Sequence, residues 1–235
     1  MSSGWAPKRF WTNAAPEPCD GGFTVRLDAR LVKTPNKSPL VLPTHAMAEA
    51  VAAEWQAQVD KIDPATMPST RAANSAVDKV TPQFGEVVAL LAAYGGTDLL
   101  CYRGSEPSLR KRQDAGWDPL LDWSARSLAA PLNVTTGVIP VDQPQASLDR
   151  LSDRLHTMTP FQIVAAHDLI AITGSLVLAL AVTDRFIDPE AAWTAARIDE
   201  KWQSELWGLD DEAAHADARR HADFLQAERF FRLCG

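Results

Sequence analysis

The run "LIAITGSLVLALAV", Leu169 to Val182, resembles a membrane segment, and its reading decides between a membrane protein and a buried bundle. As a single helix it reaches about 21 Å at 1.5 Å per residue, short of a hydrocarbon core of about 30 Å. We therefore read it as a central buried helix. Around it, a capping residue followed by Pro at the first helical position recurs at Thr81-Pro82, Asp118-Pro119, Thr159-Pro160 and Asp188-Pro189. Gly95 and Gly208 fit helix ends. "NVTTGVI", Asn133 to Ile139, reads as a short strand or an extended connector. These cues predict a helical bundle built around Leu169–Val182.

The N-terminal part reads differently. "FTVRLDARLVKT" alternates Phe23, Val25 and Leu27 with polar neighbours, "PLVLP" is a short β-rich run, and Gly21-Gly22 marks a turn. Thr44 is placed to cap a helix through "HAMAEAVAAEWQAQ", with either Met47, Val51 and Trp55 or Ala48, Ala52 and Trp55 as its apolar face. The expected class is α+β: a small strand-rich N-terminal α+β domain, 1–80, followed by a larger C-terminal helical bundle, 81–235.

Composition narrows the function. The 235 residues are 46% apolar, enough for a real core. A net charge of -7 with no basic stripe argues against a nucleic-acid binder. Cys19, Cys101 and Cys234 are scattered, odd in number and without CxxC spacing, so neither a disulfide framework nor a thiolate zinc site is indicated. The opening "MSSGWAPKRFW" has no apolar h-region and no transit-peptide pattern, which predicts a chain that stays where it is made, without membrane insertion.

Motifs for chemistry are missing. There is no GxxxxGK[ST] loop, GxGxxG turn or GxSxG elbow. His215 and His221 lie on different helix faces, and His167 beside Asp168 reads as a hydrogen-bonded core histidine. No metal and no cofactor is expected. Asp199, Glu200, Glu205, Asp210, Asp211 and Glu212 are close in sequence, but general acid-base work needs two carboxylates converging on a cleft. They read as a solvated acidic face or as a recognition surface.

Recognition gains support from "AAWTAARIDEKWQSELWGLDDEA", 191–213. As one helix, its core stripe is Ala191, Ala195, Ile198, Trp202 and Leu206, with Trp193, Glu200 and Trp207 almost opposite. Trp193 and Trp207 are then either interface anchors or packed under a neighbouring helix. In "TDLLCYRG" and "WDPLLDW", Asp98, Tyr102, Arg103, Trp117, Asp118 and Trp123 read as lining a groove, with Asp118 also explained as a cap.

"LDARLVKTPNKSPLVLPT", "EWQAQ", "MPSTRAANSAVDKV", "TDLLCYR", "WDPLLDW", "GSLVLALA" and "ELWGLDDEA" stand in this order. Together they resemble the assembly chaperones that bind the α subunit of the F-type ATP synthase catalytic head, from about Lys8 to about Leu233. Ala29 stands where that family's pattern has Gly, and Ser69 and Ala72 where it has bulkier apolar residues. The resemblance implies a non-enzymatic protein that uses no cofactor and holds the free α subunit until the β subunit replaces it; a chaperone that sequesters one subunit is most simply a monomer when free. It implies the mitochondrial matrix for eukaryotic relatives, and the opening without a presequence predicts a bacterial cytoplasm here. The residues assigned to the partner are Trp193, Glu200, Glu205, Trp207, Asp210 and Glu212, together with Tyr102 and Arg103. The alternative, from another class, is a small cytosolic enzyme with a pocket around Asp98, Arg103 and Asp118, a carboxylate serving as base and Arg103 as anion clamp.

Overall fold

The alternation at Phe23, Val25 and Leu27 becomes strand β2 (Gly22–Leu27), which pairs antiparallel with β1 (Ala14–Cys19) and with β3 (Arg30–Leu31) in the order β1-β2-β3. The computed structural model describes residues 8–208 and 211–235. The opening "MSSGWAP", which bears on targeting, and Asp210, assigned to the partner, lie outside the described residues. Two units emerge. The first runs to Phe84 and includes Pro160–Val164 and Arg229–Gly235; the second comprises Gly85–Thr159 and Ala165–Glu228.

In the first unit, the β1–β2 hairpin turns at Gly21, whose φ of 83° favours glycine. At Gly22 an added Cβ would lie 2.3 Å from the Leu42 carbonyl oxygen, because the "PLVLP" segment bridges to Phe23 there. Pro16 and Pro18 sit on the edge strand β1 and remove donors that would template another strand. In the turn after β2 the left-handed residue is Asp28, with φ of 50°, so the Ala at 29 has no positive φ to sustain. The Asp28 carboxylate accepts from Thr12 and Asn13 N–H, both at 2.9 Å, and these bonds hold its pKa below the usual range.

Thr44 caps α1 (His45–Gln56) through its hydroxyl, which accepts from Met47 N–H at 3.1 Å, and Met47, Ala48, Val51 and Ala52 are buried. Helix α1 lies on β1 and β2, and Val25, Leu27, Leu40 and Leu42 are buried with it. Helix α2 (Pro68–Ser75) has no side-chain cap of its own. Glu54 of α1 supplies one: its carboxylate accepts from Ser69 N–H, Thr70 N–H and the Thr70 hydroxyl, each at 2.7 Å.

Beyond α2 the chain winds through a π turn, Ala76–Val80, and a 3-10 turn, Thr81–Gln83, directly into α3 (Phe84–Ala92). Thr81 therefore does not act as the N-cap of a helix. Pro82 offers no N–H and crowds the carbonyl four residues back, so the backbone widens, and the Thr81 N–H and hydroxyl both donate to Ala76 O. Pro68–Cys101, as one succession of helical turns, is long and apolar enough by length and composition to cross a membrane.

In the second unit, 3-10 turns at Ala93–Thr97 and Leu99–Cys101 lead to β4 (Tyr102–Arg103), which pairs in parallel with β5 (Thr135–Thr136). Between these strands runs α4 (Pro107–Ser127), and after them α5 (Gln145–His156) and α6 (Pro160–Thr173). Leu169–Val182 is not one helix. Gly174, with φ of 73°, ends α6, and Ser175 at once caps α7 (Leu176–Thr183) by accepting from Leu178 N–H at 2.9 Å. The expected burial holds for α7, every residue of which is buried, whereas Ala171 in α6 is exposed; α7 packs against α4 and against α8 (Pro189–Ala196). Helices α9 (Ile198–Trp207) and α10 (Asp211–Leu233) follow. His167 is no core residue: half its side chain is exposed, and its bond to Asp168 at 2.9 Å raises its pKa.

Candidate functional site

The tryptophan segment is two helices. At Arg197, with φ of −112° and ψ of 17°, α8 ends and α9 starts in a new direction, so positions before and after it no longer share one helical wheel. The expected stripe fails accordingly: Ala191 and Leu206 are exposed, while α8 buries Ala192, Trp193, Ala195 and Ala196. Trp193 is only 8% exposed. Its ring stacks on His221 at 5.0 Å, leans on Phe224 at 5.8 Å and carries the Arg197 guanidinium at 5.5 Å. Of the two readings offered for it, the packed one describes the fold.

Helix α9 has no buried residue. Trp207 is 76% exposed, Leu206 is exposed beside it, and the Trp202 and Trp207 rings meet edge to face at 6.4 Å. Polar ties hold the helix against α4: Gln113 donates to Asp199 at 2.7 Å, Arg112 pairs with Glu205 at 2.7 Å, and Trp202 Nε1 donates to the Ser108 hydroxyl at 3.2 Å. A Cβ on Gly116 would stand 2.6 Å from Ile198 Cδ1, so the two helices meet at a glycine. Arg197 secures the junction by pairing with Glu200 at 2.5 Å and Asp217 at 2.8 Å. Glu212 lies exposed in the first turn of α10. Trp207, Glu200, Glu205 and Glu212 are thus all at the surface, with the two middle carboxylates already ion-paired. Trp202 belongs with Trp207, which the one-helix wheel concealed by assigning it to the core.

The "TDLLCYR" and "WDPLLDW" residues form an internal joint. The Asp98 carboxylate is fully enclosed and accepts from Leu100 N–H at 3.0 Å and Val177 N–H at 2.9 Å, tying the 3-10 turn to the start of α7. Burial pushes its pKa up against the pull of these donors. The Arg103 guanidinium is also enclosed. It pairs with Asp118 at 2.8 Å and Asp114 at 3.7 Å and stands 5.0 Å over the Trp117 ring, and burial lowers its pKa against the pull of both carboxylates. Trp117 is buried and donates to Ala195 O at 2.8 Å. Trp123 stacks on Phe186 at 5.3 Å, and Tyr102 is half-buried.

Asp118 does not cap a helix: it lies inside α4, where Pro119 is an internal residue and Arg103 holds the carboxylate. The three residues of the enzyme reading do not share an open pocket. Arg103 has no surface with which to clamp an anion, Asp98 is saturated by backbone donors, and only Asp118 reaches solvent. The burial that encloses Arg103 also removes it from direct contact with a partner. Among the described residues no group of three or more His, Cys, Asp or Glu side chains is placed to hold a metal ion.

Comparison with known proteins gives this arrangement a family. Atp12 from Paracoccus denitrificans is 48% identical, with a TM-score of 0.94 over 97% of this chain and 98% of that one. The Atu1473 protein of Agrobacterium tumefaciens is 36% identical, with a TM-score of 0.93 over 97% and 87% of the two chains. The mitochondrial protein atp12 of Schizosaccharomyces pombe is 22% identical over 223 residues, 89% of this chain and 77% of the relative. The model of the ATP12 chaperone protein family matches residues 8–125, within which lie the capping residue Glu54 and the joint formed by Asp98, Arg103 and Asp118. The chain belongs to the ATP12 chaperone protein family.

Proposed function

We propose that this protein is an assembly chaperone that binds the free α subunit of the F-type ATP synthase in the bacterial cytoplasm and releases it to the β subunit. The observation that carries the reading is α9, a helix with no buried residue that presents Trp202, Leu206 and Trp207 among carboxylates. An unassembled α subunit exposes apolar surface destined for its neighbours, and such surface drives aggregation. Covering it reversibly requires aromatic anchors on the chaperone and no bond chemistry. An interface of standard size, about 1,200 to 2,000 Å², gives micromolar to nanomolar affinity and yields to the larger permanent contact of the β subunit without ATP. The carboxylates Glu200, Glu205 and Glu212, with Asp210 next in sequence, select a basic patch on the client and hasten encounter, an effect that weakens with salt.

Co-expression of the α subunit with and without this protein tests the reading, with soluble α as the measure. The Leu206→Ser, Trp207→Ala double variant, altered only at exposed positions, should keep its thermal midpoint and bind α at least about tenfold more weakly. Unchanged solubility of α with the wild-type chain would remove the chaperone reading. Unchanged affinity of the double variant would remove α9 from the contact.

A further inference from the structure

A second exposed apolar surface lies on the loop that joins α4 to α5. The loop from Asn133 to Gln143 is clasped at its neck. Asn133 N–H donates to Gln143 Oε1 at 2.7 Å, Gln143 Nε2 donates to Asn133 O at 3.0 Å, and Asn133 Nδ2 donates to Asp142 O at 2.9 Å. Its ascending limb is fastened by the β4–β5 pairing, by Gly137 N–H donating to Arg103 O at 2.8 Å, and by Arg110 donating to the Thr136 hydroxyl at 2.9 Å. A loop held at this many points is built to hold something out. What it holds out is apolar: just past the left-handed turn at Gly137, Val138 is 91% exposed and Ile139 74% exposed. Neither side chain is buried by the fold, so the stabilisation that burial would bring is left unrealised at both.

The root of the same loop walls a groove of about 440 Å³ along α4, floored by Leu121, Ala125, Leu132 and the part-exposed Val134 and rimmed by Asp118 and Asp122. Both rim carboxylates are more than half exposed. Asp118 leans on the enclosed Arg103, and Arg126 reaches Asp122 only at 3.5 Å. The groove, with apolar side chains beside two exposed carboxylates, fits a polypeptide segment that pairs apolar side chains with a Lys or Arg, and the tip, a few residues along the same loop, offers a further apolar contact. The alternative occupant, a second copy of this chain, fits poorly. Each copy carries a net charge of -7, and the tip offers only a few hundred Å² of apolar area against the roughly 1,200 Å² of a standard interface.

We propose that this clasped loop and its groove form a second docking site, which takes an apolar segment bearing a basic side chain from the client polypeptide. This inference rests on the client-binding reading and adds a contact separate from α9. The site holds the client at a second point, so that losing either contact weakens binding without abolishing it.

The experiment is titration of the full chain with purified α subunit by isothermal calorimetry, using wild type, Val138→Asp with Ile139→Asp, and Asp122→Lys. A milder pair, Val138→Ser with Ile139→Ser, stands in if the aspartates disturb the fold. The tip variants should bind about tenfold more weakly with an unaltered thermal midpoint, and Asp122→Lys should bind more weakly and lose part of the salt dependence. A wild-type chain that does not bind α overturns the parent reading and this one with it. Wild type that binds while both tip pairs bind equally well overturns the second site alone. Sedimentation that shows a wild-type dimer abolished by the tip variants overturns the assignment of a client as occupant.

Discussion

Replacing Glu54 tests whether a family motif is a structural device or a contact residue. In "EWQAQ" the glutamate has no local task. In the fold it closes the N-terminus of α2 with three acceptor contacts of 2.7 Å, to Ser69 N–H, Thr70 N–H and the Thr70 hydroxyl. A hydrogen bond to a charged group contributes about 1.5–3 kcal/mol, and an ordinary N-cap about 0.5–2 kcal/mol. The three bonds share one carboxylate and are not additive, and in Glu54→Ala water reaches part of the vacated site. The loss should therefore settle at about 3 kcal/mol, within the range of the first two bonds alone. For a chain of this size that lowers the thermal midpoint by about 6–12 °C, at roughly 2–4 °C per kcal/mol. Glu54→Gln keeps one accepting oxygen but turns an amide N–H₂ toward a donor, and should recover less than half of the loss. The assay is urea unfolding followed by circular dichroism, with the slope unchanged and the midpoint shifted. A loss below about 1 kcal/mol in Glu54→Ala would refute the capping argument. Lost α-subunit binding at unaltered stability would instead make Glu54 a contact residue.

Two further predictions concern the second unit. Asp98→Asn should destabilise by about 1–3 kcal/mol at acid pH, because an amide nitrogen cannot accept from Leu100 or Val177 N–H. Burial raises the Asp98 pKa in the fold above its unfolded value, so its contribution is fully present below the ordinary carboxylate pKa and declines as pH rises through the folded pKa. The stability difference between wild type and Asp98→Asn should therefore shrink as pH rises from about 4 toward neutral; a difference that instead grows as pH rises to about 4 and then stays level would mean that the backbone donors outweigh burial and that folding lowers the Asp98 pKa. Gly116→Leu should force α9 off α4, since even a Cβ there lies 2.6 Å from Ile198 Cδ1. It should cost about 1–3 kcal/mol in urea unfolding and weaken α-subunit binding, and wild-type behaviour in both would show that α9 needs no close seat.

How far the sequence discloses these features depends on the range of the interaction that decides each one. Thr44 and Asp188 announce their helices because a cap bonds to an N–H two or three residues on. Asp118-Pro119 presents the same dipeptide as Asp188-Pro189, yet its carboxylate is claimed by Arg103, fifteen residues back, and the helix runs through it. Glu54 is silent for the same reason, its partners lying fifteen and sixteen residues ahead. The break inside Leu169–Val182 was legible: Gly174 followed by Ser175 is a helix end abutting a cap, and the continuous hydropathy masked it. The break at Arg197 was not, since "TAARIDE" contains no Gly or Pro, and the helix stops where Arg197 is drawn to Asp217 of α10 and lies over Trp193.

This division of labour explains why most of the motifs point to a family without pointing to the surface proposed here, with "ELWGLDDEA" as the exception. Asp98, Arg103 and Trp117 are enclosed, and Glu54 is committed to a cap; each sets where a helix begins or which helix meets which. Their side chains are committed inside the fold. Trp207 is the opposite case. Burying a large side chain stabilises by about 1.5–3 kcal/mol, and in the free protein that stabilisation is left unrealised at Trp207, on a helix seated on α4 through polar ties and the Ile198–Gly116 contact. The same holds for Val138 and Ile139 on their clasped loop. A client that covers either surface gains what folding did not take, and a competitor that covers more of the client takes it back. Reversible capture of this kind needs stability withheld from the fold at a few exposed positions, and the rigid, motif-bearing interior is what keeps those positions from collapsing inward.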